Sequence, residues 1–198
     1  PKEDFPVMAE GELPHNFTLS SNVLIDIIDK TRFAVSTEET RYYLNGIYLH
    51  VAEMSMQSVL RAVATDGHRL AQVNVPLPAG AADMPGIIVP RKAVAELRKL
   101  IDEGGIDVGV SLSESKIRFQ VGESVLTSRL IDGTFPDYQR VIPEGNDKIM
   151  EVDAKAFAEA IDRVSTVSTE KSRAVKMSLK GGKATIAANS PDNASASE

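Results

Sequence analysis

The stretch Val35-Ser36-Thr37-Glu38-Glu39-Thr40-Arg41 occurs twice in this chain of 198 residues. Its second copy, Val167-Ser168-Thr169-Glu170-Lys171-Ser172-Arg173, is identical at five of the seven positions. Upstream of both copies, residues 19–30 align with residues 152–163 when one residue is deleted. Self-similarity at this spacing predicts a repeated domain of about 130 residues.

Each copy has the same order of predicted elements: a short strand, a Ser or Asp at a helix N-cap, an amphipathic helix, a polar loop and further strands. The second copy stops at Glu198, after about a third of the repeat length. The chain also lacks an initiator Met. We therefore expect one whole domain and the beginning of another, in a chain that begins inside a longer protein.

A weaker repeat divides the first copy into two halves, each with one helix and about four strands. The first half has a predicted strand at 17–19, a helix at 21–33 and strands at 42–51, 58–64 and 69–75. After a linker at 76–85, the second half has a strand at 86–89, a helix at 91–102 and strands at 107–112, 116–121 and 124–130. This order predicts an α+β fold in which antiparallel strands close a sheet and both helices lie on one face of it.

Composition excludes several classes of protein. The hydrophobic fraction is 42%, and the apolar runs are too short for a membrane span, which needs about 18 residues. The chain has no Cys, which removes disulfides, thiolate metal sites and thiol nucleophiles. The net charge of −6 argues against a protein that coats nucleic acid by bulk attraction.

The second predicted helix carries four cations opposite its apolar stripe. Seven-residue spacing pairs Arg91 with Arg98 and Lys92 with Lys99, so all four are expected to face solvent together. The pattern fits either a solubilising surface or a local surface for nucleic acid.

Asp66 and His68 flank Gly67 in a predicted turn between two strands. They allow a hypothesis of a small metal-dependent hydrolase, with an acid/base pair or two metal ligands. The hypothesis is weak, because Asp-Gly is common in tight strand reversals and the chain has only three His. No phosphate-binding loop, dinucleotide turn, nucleophile elbow or metalloprotease motif occurs in the sequence.

The segment 130–143 has the composition of a stiff linker, with two prolines. Its apolar residues Phe135, Tyr138, Val141 and Ile142 predict instead that it packs against a domain. A packed seam of this kind is a common place for a binding pocket.

Four motifs, in the segments 41–46, 64–70, 88–92 and 132–138, closely resemble the bacterial DNA polymerase sliding clamps, the beta subunits of the replicative polymerase. The resemblance runs over nearly the whole chain. It implies that 1–13 is a linker from a missing first domain, 14–143 a complete middle clamp domain and 144–198 the beginning of a third.

The family resemblance implies a ring of two protomers around duplex DNA, with helices lining the hole. On this basis the residues expected to face DNA are Arg41, Tyr42, Tyr43, Arg91, Lys92, Arg98 and Lys99. The tyrosines could stack on an unpaired base, although strand packing explains Tyr43 equally well. A homodimer is implied for the full-length protein, whereas this chain alone is expected to be a monomer.

The resemblance also implies a pocket for short Gln- and Leu/Phe-containing tails of partner proteins. Carried over by motif, its residues are Leu44, Thr65, Gly67, His68, Arg69, Leu70, Pro136, Arg140 and Val141. The family completes this pocket with residues near the C terminus of its third domain, beyond the end of this sequence.

The expected partners are replicative and repair polymerases, the clamp loader, and mismatch-repair and ligase-type proteins. The resemblance further implies a bacterial cytoplasmic protein, associated with the nucleoid during replication and not with a membrane. No catalytic activity, cofactor or metal is expected.

Overall fold

The computed structural model describes residues 11–101, 105–168, 174–189 and 195–198. The chain forms two compact units, Pro1–Val141 and Ile142–Glu198. No helix in the described ranges is both long enough and apolar enough to cross a membrane.

The described residues of the first unit form two α-helices and eight strands. The strands are β1 (His15–Ser20), β2 (Gly46–Met54), β3 (Gln57–Thr65), β4 (Leu70–Pro76), β5 (Ile87–Pro90), β6 (Asp107–Leu112), β7 (Lys116–Val121) and β8 (Ser124–Arg129). The helices are α1 (Ser21–Thr31) and α2 (Arg91–Leu100), and short 3₁₀ turns lie at Arg32–Ala34, Tyr42–Leu44 and Tyr138–Val141.

Helix α1 begins and ends through side-chain hydrogen bonds. The hydroxyl of Ser20 accepts from the amide of Val23 at 3.4 Å, which caps the N terminus. At the other end, the hydroxyl of Thr31 donates to the carbonyl of Ile27 at 2.6 Å. The chain then tightens into the 3₁₀ turn Arg32–Ala34, so the helix ends two residues before the predicted end at Phe33.

The strands form two four-stranded antiparallel sheets, and the prediction of one closed sheet is wrong. The sheet orders are β4-β3-β2-β5 and β1-β6-β7-β8. Strand β1 thus belongs to the first half by sequence but pairs with β6 of the second, while β5 pairs back with β2 of the first. This exchange joins the two halves into one domain.

The exchange is marked by a matching hydrogen bond in each half. The amide of Ser21, at the start of α1, donates to the carbonyl of Ile106 at 2.8 Å. The amide of Arg91, at the start of α2, donates to the carbonyl of Asn45 at 2.9 Å. In both halves, therefore, the strand before the helix is anchored beside the strand that follows the helix of the other half.

A single apolar core joins the two sheets and the two helices. Its fully or nearly fully buried members include Leu24, Ile27 and Ile28 of α1, Val94 and Leu97 of α2, Leu60 and Ala62 of β3, and Val108, Leu112, Ile117 and Phe119 of the second sheet. The apolar stripes predicted for both helices are confirmed. The α+β prediction is also confirmed, because the helices pack on antiparallel sheets.

The second unit contains α3 (Ala154–Ser165), β9 (Lys176–Lys180), β10 (Lys183–Asn189) and β11 (Ser195–Ser197), with the strands in the order β11-β10-β9. The carboxylate of Asp153 accepts from the amide of Ala156 at 2.7 Å and caps α3, as predicted. Val164 packs with Ile186 and Ala188 in a small core.

The strand predicted before α3 does not form, since residues 142–153 lie outside helices and strands. In the first unit the corresponding strand, β1, is held by β6. The described part of the second unit contains no counterpart of β6, so this segment has no ladder partner. Residues 169–173 of the repeated stretch, like Asp102 and Gly104, lie outside the described residues.

Candidate functional site

The segment Thr65 to Leu70, here called the docking turn, links β3 to β4 and is fixed by its own side chains. One carboxylate oxygen of Asp66 accepts from the amides of His68 and Arg69, each at 3.0 Å, and the other accepts from Arg69 Nε at 3.0 Å. The hydroxyl of Thr65 donates to the carbonyl of Arg69 at 2.8 Å and accepts from the amide of Gly67. Gly67 has a φ of +88°, which favours glycine.

The geometry of Asp66 does not fit an acid/base pair or a metal site. The hydrogen bond from the Arg69 amide, with further ones from the His68 amide and the Arg69 side chain, lowers the pKa of Asp66 to about 2. Its hydrogen bond with His68 is to the backbone amide and not to the ring. Within the described ranges, no group of three or more His, Asp or Glu could hold a metal ion.

The loop containing the first copy of the repeated stretch lies against the docking turn. Arg41 forms a two-point ion pair with Glu38, with contacts of 2.9 and 2.7 Å. This pair lowers the pKa of Glu38 and raises that of Arg41. A Cβ atom added to Gly67 would be 2.5 Å from Arg41 Nη1, so the guanidinium lies directly over the glycine.

The segment 130–141, here called the connector, packs on the face of β2 and β3 that points away from the core. The ring of Phe135 stacks on Tyr48 with centroids 4.8 Å apart and planes 9° from parallel. Phe135 and Tyr138 are buried in a cluster with three residues of the sheet region, Leu44, Val63 and Ile88, and Leu70 packs against it. The predicted packing is therefore right for Phe135 and Tyr138.

The same prediction is wrong for Val141 and Ile142. The side chain of Val141 is 70% exposed and that of Ile142 is 40% exposed. Tyr138 is the last buried anchor of the connector.

A chain of hydrogen bonds lies beneath the connector. Arg61, which is only 8% exposed, donates from Nε to the side-chain oxygen of Asn74 at 2.7 Å and from Nη1 to the Tyr138 hydroxyl at 3.3 Å. The Tyr138 hydroxyl lies 3.0 Å from Nε2 of His50, whose Nδ1 lies 2.9 Å from the carbonyl of Val51. These contacts satisfy an arginine that would otherwise be costly to bury.

The nine predicted pocket residues come from segments that the fold brings together. Leu44 and Leu70 meet at the cluster around Phe135 and Tyr138. Thr65, Gly67, His68 and Arg69 belong to the docking turn that leads into Leu70. Pro136, Arg140 and Val141 are exposed residues beside the two buried anchors of the connector, and Arg140 pairs with Asp137 at 2.8 Å.

The predicted DNA-facing tyrosines lie in a 3₁₀ turn, not in the predicted strand. Their ring centroids are 5.7 Å apart in an edge-to-face arrangement, and the ring of Tyr42 and the Cβ atom of Tyr43 lie close to Gly133 of the connector. Tyr42 is 52% exposed, whereas Tyr43 is partly buried against the Leu44 cluster. Packing thus explains more of the position of Tyr43 than of Tyr42.

The four cations of α2 do not face solvent equally, which corrects the prediction. Arg98 is partly buried and pairs with Asp29 of α1, with donor distances of 3.2 to 3.3 Å. Lys99 pairs with Glu96 at 2.9 Å. Arg91 and Lys92 are exposed and have no carboxylate partner among the described residues.

Sequence reasoning missed four residues around this site. Phe33 lies beside the docking turn, with its ring centroid 5.8 Å from the Arg69 guanidinium, and Tyr48, His50 and Arg61 form the floor under the connector. The alternation in β2 and β3 offered a signal, because Tyr48, His50, Arg61 and Val63 share the face opposite the core.

Comparison with known families assigns both parts of the chain. Residues 18–137 match the model of the DNA polymerase III beta subunit, central domain, and residues 139–198 match that of its C-terminal domain. The chain belongs to the DNA polymerase III beta subunit family. The resemblance seen in the four motifs is therefore confirmed.

Individual beta subunits are similar over the whole chain. The beta sliding clamp of Caulobacter vibrioides is 53% identical over 186 residues, which are 94% of this chain and 50% of the relative. The clamp of Pseudomonas aeruginosa is 41% identical over 198 residues, covering 100% of this chain and 53% of the relative. The chain thus spans about half the length of these relatives.

Solved beta-subunit structures have the same fold. A sliding clamp from Bartonella birtlesii, bound to griselimycin, superposes with a TM-score of 0.95 at 53% sequence identity. The match covers 100% of this chain and 53% of the Bartonella chain. A Caulobacter crescentus beta sliding clamp superposes with a TM-score of 0.96 at 50% identity, with the same coverage.

Proposed function

We propose that this chain is part of a sliding-clamp subunit that encircles duplex DNA and docks other replication and repair proteins through short peptide tails. Residues 14–143 are the middle domain in this proposal, 1–13 the linker that precedes it and 144–198 the beginning of the third domain. The subunit contributes processivity and has no catalytic activity of its own.

The observation that carries the docking function is the convergence of Leu44 and Leu70 with the connector. Leu70 is half-buried against the cluster that contains the buried Leu44, and His68, Arg69 and Arg140 are exposed residues of the docking turn and the connector. Small ligand sites combine apolar walls with a few polar groups in this way. The related sliding clamp of Bartonella birtlesii was crystallised bound to griselimycin.

The strength of docking follows from the size of its anchors. Burial of one Leu or Phe contributes about 1.5–3 kcal/mol. Two anchors therefore contribute about 3–6 kcal/mol before the cost of ordering the peptide, which is below the roughly 8 kcal/mol of a micromolar complex, so docking is expected to be no tighter than micromolar order. Partners that share one site must exchange, and an affinity of this order permits exchange.

The DNA function is supported by where the unpaired cations lie. Arg91 and Lys92 occupy the first turn of α2, which contains no acidic residue. Cations at this positive end of the helix dipole do not stabilise the helix. They are well placed to attract phosphates without reading bases, which suits a protein that slides.

The docking function is tested by binding of a fluorescein-labelled peptide that contains one Gln followed by Leu and Phe. Fluorescence anisotropy measures its affinity for this chain and for the Arg69→Ala, Leu70→Ala double variant. Saturable binding that the double variant loses supports the proposal. Val125→Ala is the control, because Val125 is an exposed strand residue outside the site. Equal binding by all three proteins contradicts a site at the docking turn.

A further inference from the structure

In the hydrogen bonds that link Arg61, Tyr138, His50 and Val51, the donor and the acceptor of each bond can be assigned. A carbonyl only accepts, so Nδ1 of His50 carries the proton that is donated to Val51. In a neutral ring, Nε2 then has no proton and accepts from the hydroxyl of Tyr138, 3.0 Å away. The oxygen of Tyr138 accepts in turn from Arg61. Every donor in this series has an acceptor only while His50 is neutral.

Protonation of His50 breaks this order. It places a proton on Nε2 of His50, so Nε2 can no longer accept a hydrogen bond. The hydroxyl of Tyr138 then loses its acceptor. Protonation also places a second positive charge beside Arg61, which is nearly buried. Around the ring, β2 contributes Tyr48, β3 contributes Arg61 and the connector contributes Tyr138, and none of these carries a negative charge at neutral pH.

Tyr138 is the last buried residue of the connector before the exposed pair Arg140 and Val141. Pro136 lies between the two buried anchors, Phe135 and Tyr138. The positions of all three exposed residues therefore depend on how firmly Tyr138 is held.

We propose that His50 and Tyr138 are positioning residues for the docking surface: their hydrogen bond holds Pro136, Arg140 and Val141 in place while His50 is neutral and releases them when it is protonated. This inference rests on the proposed docking function. The hydrogen bond between His50 and Tyr138 is here called the latch. Burial and the nearby Arg61 lower the pKa of His50, so His50 is neutral and the latch is intact at neutral pH.

The experiment measures peptide affinity over a pH series that starts at about 7.5, the higher pH, and ends at about 4.5, well below the ordinary His pKa, because the pKa of His50 is lowered. Tyr138→Phe removes the hydroxyl but keeps the ring, and we expect affinity at the higher pH to fall about 3- to 10-fold, the usual effect of one hydrogen bond. His50→Gln supplies a side-chain oxygen that accepts from Tyr138 and does not titrate. It should bind like the wild type at the higher pH and lose less affinity on acidification.

His15→Gln is the matched control, because His15 lies on β1, in the other sheet. His68 lies in the docking turn itself, so any pH dependence that it causes remains in His50→Gln and is subtracted. If wild type and His50→Gln lose affinity equally on acidification, or if Tyr138→Phe binds as tightly as the wild type, the latch is refuted.

Nuclear magnetic resonance separates failure of the latch from failure of the docking function. The backbone amides of Gln139 and Arg140 should shift with the same midpoint pH as the His50 ring in the wild type, and not in His50→Gln. If no peptide binds to any variant, the docking proposal fails, and the latch is still decided by these shifts. Connector amides that do not follow the His50 ring overturn it.

Discussion

Arg41 covers Gly67, with Nη1 at 2.5 Å from the point where a Cβ atom would stand. This contact joins a residue of the predicted DNA-facing set to a residue of the predicted peptide pocket. Glu38 holds the guanidinium in place through a two-point ion pair. The shape of the docking turn therefore depends on a neighbouring loop as well as on its own hydrogen bonds.

Gly67→Ala should weaken peptide binding more than it weakens the fold. Its φ of +88° costs an alanine about 1 kcal/mol, and the methyl group must also displace Arg41 from its pair with Glu38. Gly122→Ala is the matched control, because Gly122 also has a positive φ, +54°, but nothing lies within 4 Å of its added Cβ. We expect a loss of thermal stability in both variants and a loss of peptide affinity, by anisotropy, in Gly67→Ala alone. A comparable affinity loss in Gly122→Ala would contradict this.

Phe135→Ala should be strongly destabilising, because Phe135 is buried in its stack on Tyr48. Truncation of a buried Phe to Ala costs about 3 kcal/mol or more. Phe33→Ala makes the same substitution at a residue that is 55% exposed, and it should change the free energy of unfolding by about 0.5 kcal/mol or less. Urea unfolding measures both. Similar losses in the two variants would show that the connector does not pack as the structure describes.

The sequence pattern predicted the second sheet better than the loops around the docking site. Strands β6 and β7 have the predicted bounds, because apolar and polar residues alternate and Ser113-Glu114-Ser115 marks the turn. Residues Tyr42–Leu44 resemble a strand in composition, but the amide of Leu44 donates to the carbonyl of Arg41 and closes a turn. A single local hydrogen bond of this kind leaves no periodic signal.

Long-range pairing was also hidden from the pattern. The periodicity of α2 places Arg98 on its polar side, and only the folded structure shows Asp29 of α1 beside it. For the same reason the motif resemblance pointed to Leu44 and Leu70 but not to His50 and Arg61, which lie beneath the connector.

Arg91 and Lys92 should contribute more to DNA binding than Arg98 and Lys99. The logarithm of DNA affinity falls linearly with the logarithm of salt concentration, and each phosphate that the protein neutralises makes this slope steeper by about 0.9. Arg91→Ala with Lys92→Ala should therefore make this dependence shallower by about 2, measured with a fluorescent duplex over a series of salt concentrations. Arg98→Ala with Lys99→Ala removes the same charge, but these cations are already paired with Asp29 and Glu96, so the change should be smaller. Equal slopes in the two double variants would show that ion pairing does not decide which cations reach DNA.

Asp66 should make stability depend on pH in the acid range. Its pKa is about 2 in the folded chain, against an ordinary value of 3.8, so the folded state favours the carboxylate. The contribution is complete above pH 3.8 and is lost as the pH falls towards 2. Asp66→Asn keeps an oxygen that accepts from the amides of His68 and Arg69 but does not titrate, so its stability should fall less steeply over this range.

Thermal unfolding of both proteins as a function of pH measures the difference in slope. Asp162→Asn is the control, because Asp162 is a carboxylate of the second unit on an exposed face of α3. Parallel profiles for wild type and Asp66→Asn would mean that the hydrogen bonds to Asp66 do not favour its charged form. A steeper loss in the wild type assigns Asp66 to holding the docking turn, the structural role that its three hydrogen bonds indicate.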